Sequence, residues 1–517
     1  MNRTPLNMGS GRCATAWREA SSAVVSRLGT ASAKQRHTMS VCFVLLLGLG
    51  AAGHAAEPPK PDPRPNILLA IADDWAWPHA GIYGDRVVKT PTFDRLARDG
   101  VLFNYAYVAA PTCTASRGAL LSGQAIHRLR EGANLWSLLP KDIPVYPDLL
   151  EKAGYAVGCT GKGWGPGTLQ GSGRTRNPAG PQFKGFEQFL KTVPDGKPFC
   201  YWFGSQDPHR PYDRDSGLRA GMNPDDVQVP PFLPDTPTVR RDLLDYYFEV
   251  QRFDRDLGKI LQQLQTAGRL QNTLIVVTGD NGIPFPRAKT TLYDSGTRAP
   301  LAVCWPGTVP GGRRIDDFVS LTDLAPTFLE AAGLKPLEEM TGRSFLDVLT
   351  SDKSGRVDPR RDKVFTERER HVPCRPGDKS YPVRAIRTHE FLYLRNLRPE
   401  LTPAGDPDVP NVVGPYGDID GSPTKSEMLK RRSEPAIARY VRLAIDRRPA
   451  EELYDLAKDP GQPENVAGSP QYAAARQKLR GELDRWMQWT GDPRARGETE
   501  FWDKCPYVGA TGRAKKR

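Results

Sequence analysis

Short, unbroken apolar runs, each ending in glycine or aspartate, mark the first two thirds of this chain. Asn66–Ala72, 155–160, Phe199–Gly204 and 273–278 have the length of strands and show no polar alternation. Such runs fit strands covered on both faces of a parallel sheet. The stretch 101–109 reads as a further strand, and 300–305 as another. Between them lie helical patterns. The segment 90–100 has Thr90 as a cap and Gly100 as a stop, and 147–153 and 321–333 also read as helices. In 239–268, Leu243, Tyr247, Val250, Phe253, Leu257, Ile260, Leu261 and Leu264 recur at helical spacing, a stripe expected to serve packing only.

Past about Ser351 the pattern changes. Strand-like pieces at 363–366, 381–387 and 391–397 alternate with turns, which predicts a small antiparallel sheet. A stretch rich in Pro, Gly and Asp, 398–424, predicts a long loop, either functional or disordered. A last helix is expected near 472–489. The fold class is therefore α/β: a large domain over 57–350, with a mostly parallel central sheet flanked by helices, and a smaller C-terminal α+β domain over 351–517.

Charge and composition change this picture at the ends. The run 41–50 is apolar and is followed by Ala51-Ala52-Gly53-His54-Ala55-Ala56. It reads as the core and cleavage site of a signal peptide, with 1–56 as a leader and export to a periplasmic or secreted location. Met39 offers a second possible start. No apolar run reaches the roughly 18 residues that a membrane span needs. The formal charge is +12, of which the leader contributes +5, leaving +7 for 57–517. A modestly basic exported protein suits an acidic substrate. No nucleic-acid motif is found, and Arg513, Lys515, Lys516 and Arg517 read as a solvated tail. Eight cysteines, two of them in the leader, do not form a disulfide framework.

The strand ends carry the chemistry, since ligand sites in open α/β sheets lie beyond them. Asp73 and Asp74 follow the first run, and Asp280 and Asn281 follow 273–278. Three carboxylates and an amide oxygen suit a hard cation such as Ca²⁺. Gly161-Lys162-Gly163-Trp164 follows 155–160, and Asp207-Pro208-His209 follows Phe199–Gly204. The turn Pro111-Thr112-Cys113 enters a helix, so Cys113 and Arg117, four positions apart, share one side of it. A helix start favours an anion, and an arginine fork favours a tetrahedral oxyanion. Taken alone, Cys113 reads as a buried apolar thiol and Asp73-Asp74 as an acidic turn.

The run Cys113-Thr114-Ala115-Ser116-Arg117 resembles the sulfatase signature Cys-x-[Pro/Ala]-Ser-Arg. Ala115 stands where proline is commoner. The segments around Asp73, Lys162, His209 and Asp280 resemble the family's other motifs and occur in its order. The resemblance implies an alkaline-phosphatase-like domain and a formylglycine made from Cys113, whose hydrated aldehyde is the nucleophile. It implies one Ca²⁺ held by Asp73, Asp74, Asp280, Asn281 and position 113. Arg117, Lys162 and Lys289 are implied as sulfate ligands, and His209 as the group that protonates the leaving atom. A formylglycine-generating or anaerobic maturation enzyme is implied as a partner. Trp164 occupies a position where many sulfatases have a histidine. His127 is the candidate substitute, and the indole could instead stack on a sugar.

The run from Asp280 to Tyr293 and the segment 229–237 resemble the heparan N-sulfatase (sulfamidase) branch, although Lys289 replaces its arginine. The segment Glu452-Leu453-Tyr454-Asp455-Leu456 resembles the lead into the last helix of sulfatase C-terminal domains. The expected activity is release of sulfate from sulfated glycans, with glucosamine N-sulfate slightly favoured over O-sulfate. Two alternatives stay open: a phosphomonoester or phosphonate hydrolase using the same cradle, and a non-catalytic sulfoglycan-binding protein if Cys113 is not matured.

Overall fold

Strand β1 (Asn66–Ala72) is buried along its whole length. In the computed structural model, which describes residues 62–497 and 500–508, its side chains enter two different cores. Ile67, Leu69 and Ile71 join one, and Leu68, Ala70 and Ala72 join the other. Both faces are covered, and this is why the run has no polar alternation. The expected signal segment lies outside the described residues.

Seven strands form the large sheet: β1, β2 (Val101–Tyr107), β3 (Ala156–Gly161), β4 (Phe199–Gly204), β5 (Thr273–Gly279), β6 (Arg298–Cys304) and β7 (Arg313–Ser320). Their order is β3-β4-β1-β5-β6-β2-β7. Only β6 runs against its neighbours, β5 and β2. The carboxyl ends of β1 to β5 therefore lie along one edge. The sequence pattern did not reveal β7, which pairs with β2 alone at the rim. It is partly exposed and carries Arg314, Asp316 and Asp317, so no apolar run marks it.

A second sheet, antiparallel throughout, comprises β8 (Lys363–Arg368), β9 (Val383–Thr388), β10 (Phe391–Asn396) and β11 (Glu451–Asp455) in the order β11-β10-β9-β8. The helix Ala473–Thr490 lays Leu479, Leu483 and Met487 on Ile386, Tyr393 and Leu453. Both sheets belong to one compact unit. The loop 398–424 is anchored by its carbonyls. Arg375 donates to Thr402 O and Pro403 O, and Lys425 Nζ donates to Val413 O, Tyr416 O and Ile419 O. Two helices that the pattern did not suggest, Pro423–Lys430 and Pro435–Ile445, follow it.

The long helix, Pro237–Thr266, has the expected buried stripe and a further role that the pattern hid. Asp254 accepts the backbone N–H groups of Thr92 and Phe93 at the start of α1 (Pro91–Asp99). It supplies the cap that the Thr90 side chain does not make. Asp242 holds Arg210 through two hydrogen bonds, 2.8 and 2.9 Å. The six described cysteines are buried and free of disulfides. No helix among the described residues is long and apolar enough to cross a membrane.

Candidate active site

Helix α2 (Cys113–Ser122) starts just past β2, and every one of its residues is buried. Cys113 opens its first turn beside the ends of β1 and β5. The thiol lies 3.4 Å from Asp73 Oδ1 and 3.6 Å from the Asn281 amide nitrogen. Burial holds that thiol well above its ordinary value, and Asp73 and Asp280 add to the effect against Lys162. An unmodified cysteine here is protonated and a weak nucleophile.

Arg117 stands one turn on from Cys113 and is completely buried. Its Nε donates to Asp280 Oδ2 at 2.6 Å, and its Nη1 donates to Lys162 O and Gly163 O at 2.6 and 3.0 Å. The remaining nitrogen, Nη2, has no hydrogen-bond partner and lies 3.8 Å from Asp73 Oδ1. The fork is thus fixed at one end and spare at the other. Lys162 is delivered by β3 through Gly161, whose φ of +72° is one that glycine adopts at no steric cost. A side chain there would also meet Gly204 O at 2.0 Å. Lys162 Nζ pairs with Asp73 at 2.6 Å, and Lys289 Nζ with Asp74 at 2.8 Å. Burial lowers the pKa of both amines, but these carboxylates and their neighbours outweigh it and keep both charged.

Asp73 is likewise held ionised against burial, with Lys162 as its largest support. Asp74 is different: burial pushes its carboxyl up, and Lys289 only partly offsets that. Its Oδ1 is buried without a partner, as is Oδ1 of Asn281. Its backbone N–H donates to Asp280 Oδ1 at 2.9 Å, and its φ of +73° is tolerated by aspartate better than by most residues. Ligand atoms of Asp73, Asp74, Cys113 and Asp280 all lie within 4.8 Å of one another. Two orphaned oxygens beside three carboxylates fit a hard divalent cation, which would satisfy both.

His209, past the end of β4, donates from Nδ1 to its neighbour's carbonyl, Arg210 O. Its Nε2, the nitrogen free to exchange a proton, lies 4.0 Å from Asp74 Oδ2. The Asp242–Arg210 clamp from the long helix holds this segment in place.

Two expectations are corrected. His127 is buried and bound to Glu367 Oε2 at 2.7 Å and to Thr490 O at 3.2 Å, so it belongs to a separate cluster with Asp492. Trp164 does not stand open at the mouth of the site. It is buried in the core, and its Nε1 would lie 3.5 Å from a β-carbon at Gly118.

The structure also brings in residues that the sequence analysis did not single out. Asp420, from the loop 398–424, lies 3.2 Å from Lys289 Nζ. His371, beyond β8, bonds Thr112 Oγ1 at 2.7 Å, and burial lowers its pKa to about 4. His371 just past a strand end could have been flagged by the rule applied to His209. Which strand of the second sheet would face the site is not written in its sequence.

A sulfatase family model matches residues 65–172 and 181–334, and a model described as N-sulphoglucosamine sulphohydrolase, C-terminal, matches 287–393. Human N-sulphoglucosamine sulphohydrolase is 31% identical over 504 residues, covering 87% of this chain and 94% of its own. An ulvan-active sulfatase of Formosa agariphila is 27% identical over 522 residues, covering 90% and 83%. The fold is shared with BT4656, solved with its substrate D-glucosamine-2-N,6-O-disulfate, at a TM-score of 0.61, 18% identity and coverage of 84% and 100%. It is shared too with a phosphonate monoester hydrolase of Agrobacterium radiobacter, at a TM-score of 0.59, 19% identity and coverage of 83% and 96%. The chain belongs to the sulfatase family, the sulfuric ester hydrolases.

Proposed function

We propose that this protein is an exported sulfatase that depends on calcium and formylglycine and removes sulfate from sulfated saccharides, with the N-sulfate of glucosamine favoured. The observation that carries the reading is the cradle around position 113. Three cations, Arg117, Lys162 and Lys289, converge there with a cluster of oxygens that has two unpartnered members.

When present, a calcium ion held by Asp73, Asp74, Asp280 and Asn281 supplies Lewis-acid polarisation, and formylglycine at 113 supplies a hydrated-aldehyde hydroxyl as nucleophile. Arg117 meets a sulfate oxygen with its spare Nη2, while its other nitrogens are fixed to Asp280 and two carbonyls. Lys162, paired with Asp73, and Lys289, paired with Asp74, add point charges, and a buried site makes these contacts stronger than they are in water. His209 gives its Nε2 proton to the departing atom. The C-terminal part, 351–517 in this reading, closes the sugar side of the site through Asp420, and 57–350 carries the rest. Conversion of Cys113 requires a formylglycine-generating or anaerobic maturation enzyme, and the segment 41–56 directs export.

The test is sulfate release by protein co-expressed with a maturation enzyme, with peptide mass spectrometry of position 113. Turnover is expected only when formylglycine is found. Full activity with an intact thiol refutes the mechanism, and phosphate release in preference to sulfate release refutes the substrate class.

A further inference from the structure

The loop 398–424 carries one carboxylate into the site that no step above uses. Asp420 Oδ2 is buried and lies at ion-pair distance from Lys289 Nζ, 3.2 Å, without hydrogen-bond alignment. The side chain as a whole is 21% exposed, so it is not sealed off from solvent. Burial disfavours its charge, but Lys289 first, then His209 and His371, outweigh burial and keep it ionised.

Asp420 is held rigidly. Two residues before it, Asp418 is clamped by Arg368 and Arg375 at 2.5 and 2.7 Å and accepts the Val372 N–H. Lys425 binds the carbonyl of Ile419 at 2.8 Å. On the other side, Thr290, next to Lys289, donates to the Asp418 carbonyl. The loop is thus tied to both sides of the site, and the carboxylate is pre-organised.

A fixed negative charge beside a sulfate cradle repels the sulfate, so its benefit must come from the group to which the sulfate is attached. The two possible bonds differ sharply there. For a sulfamate, R–NH–SO₃⁻ + H₂O gives R–NH₃⁺ + SO₄²⁻. The S–N pair stays on nitrogen, which takes one proton from His209 to leave as the amine R–NH₂ and a second from water to end as the cation R–NH₃⁺. For an ester, R–O–SO₃⁻ + H₂O gives R–OH + HSO₄⁻. The leaving oxygen carries developing negative charge, then becomes neutral. The sulfamate nitrogen has an N–H to donate before cleavage, whereas the ester oxygen has none.

Building on the sulfatase reading, we propose that Asp420 is a specificity-determining residue. It accepts the N–H of a sulfamate and stabilises positive charge on the departing nitrogen, and so favours S–N over S–O cleavage. Lys289 links it to Asp74, whose Oδ2 lies 4.0 Å from Nε2 of His209, the group that protonates the leaving atom in that reading. The selectivity is a difference between transition states, since the same charge opposes a departing alkoxide.

The experiment compares matured wild type with Asp420→Asn on glucosamine N-sulfate and glucosamine 6-O-sulfate. The kcat/KM for the N-sulfate is expected to fall about 10- to 100-fold, with the O-sulfate changed by less than about 3-fold. An equal loss on both overturns the proposal, because Asp420 would then only hold Lys289. A binding measurement separates this from turnover. In unmatured protein, Asp420→Asn should weaken calorimetric binding of glucosamine, an ammonium at neutral pH, and leave N-acetylglucosamine unchanged. Equal affinities of wild type and variant for glucosamine overturn the specificity role. Failure of matured wild type to release sulfate from any sulfated sugar instead overturns the sulfatase reading on which it rests.

Discussion

Replacing Arg117 by lysine keeps the charge and discards the fork, so it isolates what the guanidinium geometry contributes. In the folded protein Arg117 makes three hydrogen bonds: to Asp280 Oδ2, Lys162 O and Gly163 O. A lysine ammonium can keep Asp280 and so avoids leaving a buried carboxylate unpaired. Lys162 O also accepts from Trp202 Nε1 at 3.0 Å, so it keeps a partner. Gly163 O is left without the arginine donor. One stranded buried acceptor costs about 1–3 kcal/mol, and we expect Arg117→Lys to lose about 2 kcal/mol. Arg117→Ala, which strands Asp280 as well, should lose about 3–5 kcal/mol. Activity should fall further than stability. The spare Nη2 has no counterpart in lysine, and losing one donor to developing charge costs about 10²- to 10³-fold in kcat. Denaturant titration followed by circular dichroism measures the first effect, and sulfate release by matured protein measures the second. A lysine variant within about 0.5 kcal/mol of wild type, or one as destabilised as the alanine variant, refutes this accounting.

Three other outcomes follow from the structure. Asp280→Ala should abolish turnover and metal retention, with stoichiometric calcium in the wild type by elemental analysis; restoration of activity by zinc alone contradicts the hard-cation argument. His127 is raised above its ordinary 6.5, since Glu367 outweighs the opposing effect of burial. Its stabilisation is therefore complete below pH 6.5 and lost as pH rises through the raised value. Wild type should exceed His127→Gln in denaturation midpoint at pH 6 by more than it does at pH 9, and an equal margin at both refutes the pairing. Leu483→Ala, which empties the centre of the interface between the last helix and the second sheet, should cost about 2–5 kcal/mol by the same denaturant titration; a loss below about 1 kcal/mol sinks that packing account.

What the sequence determined by itself was local in origin. Strands β1, β4 and β5 announce themselves because both their faces are buried, and strand ends are where ligand residues accumulate, so Asp73, His209 and Asp280, with Lys162 past β3, could be named as candidates before any geometry was known. The helical spacing of Cys113 and Arg117 was legible for the same reason. Tertiary structure alone decided the rest. β7 is interrupted by Arg314, Asp316 and Asp317 and leaves no apolar run, and its place beside β2 is a property of the sheet rather than of its residues. Asp242 and Asp254 look like ordinary polar positions on a long helix until Arg210 and the start of α1 are brought against them. His127 stands close to the signature in sequence, yet Glu367, 240 residues away, takes its imidazole. Asp420 is separated from Lys289 by more of the chain than any spacing rule spans. It reaches the site because Arg368, Arg375 and Lys425 fold the loop back. Periodicity records which face of an element is buried, and strand ends record where a ligand can sit. Which distant carboxylate meets which lysine depends on how the second sheet and its loop pack on the first, and that is settled by shape and charge across hundreds of residues.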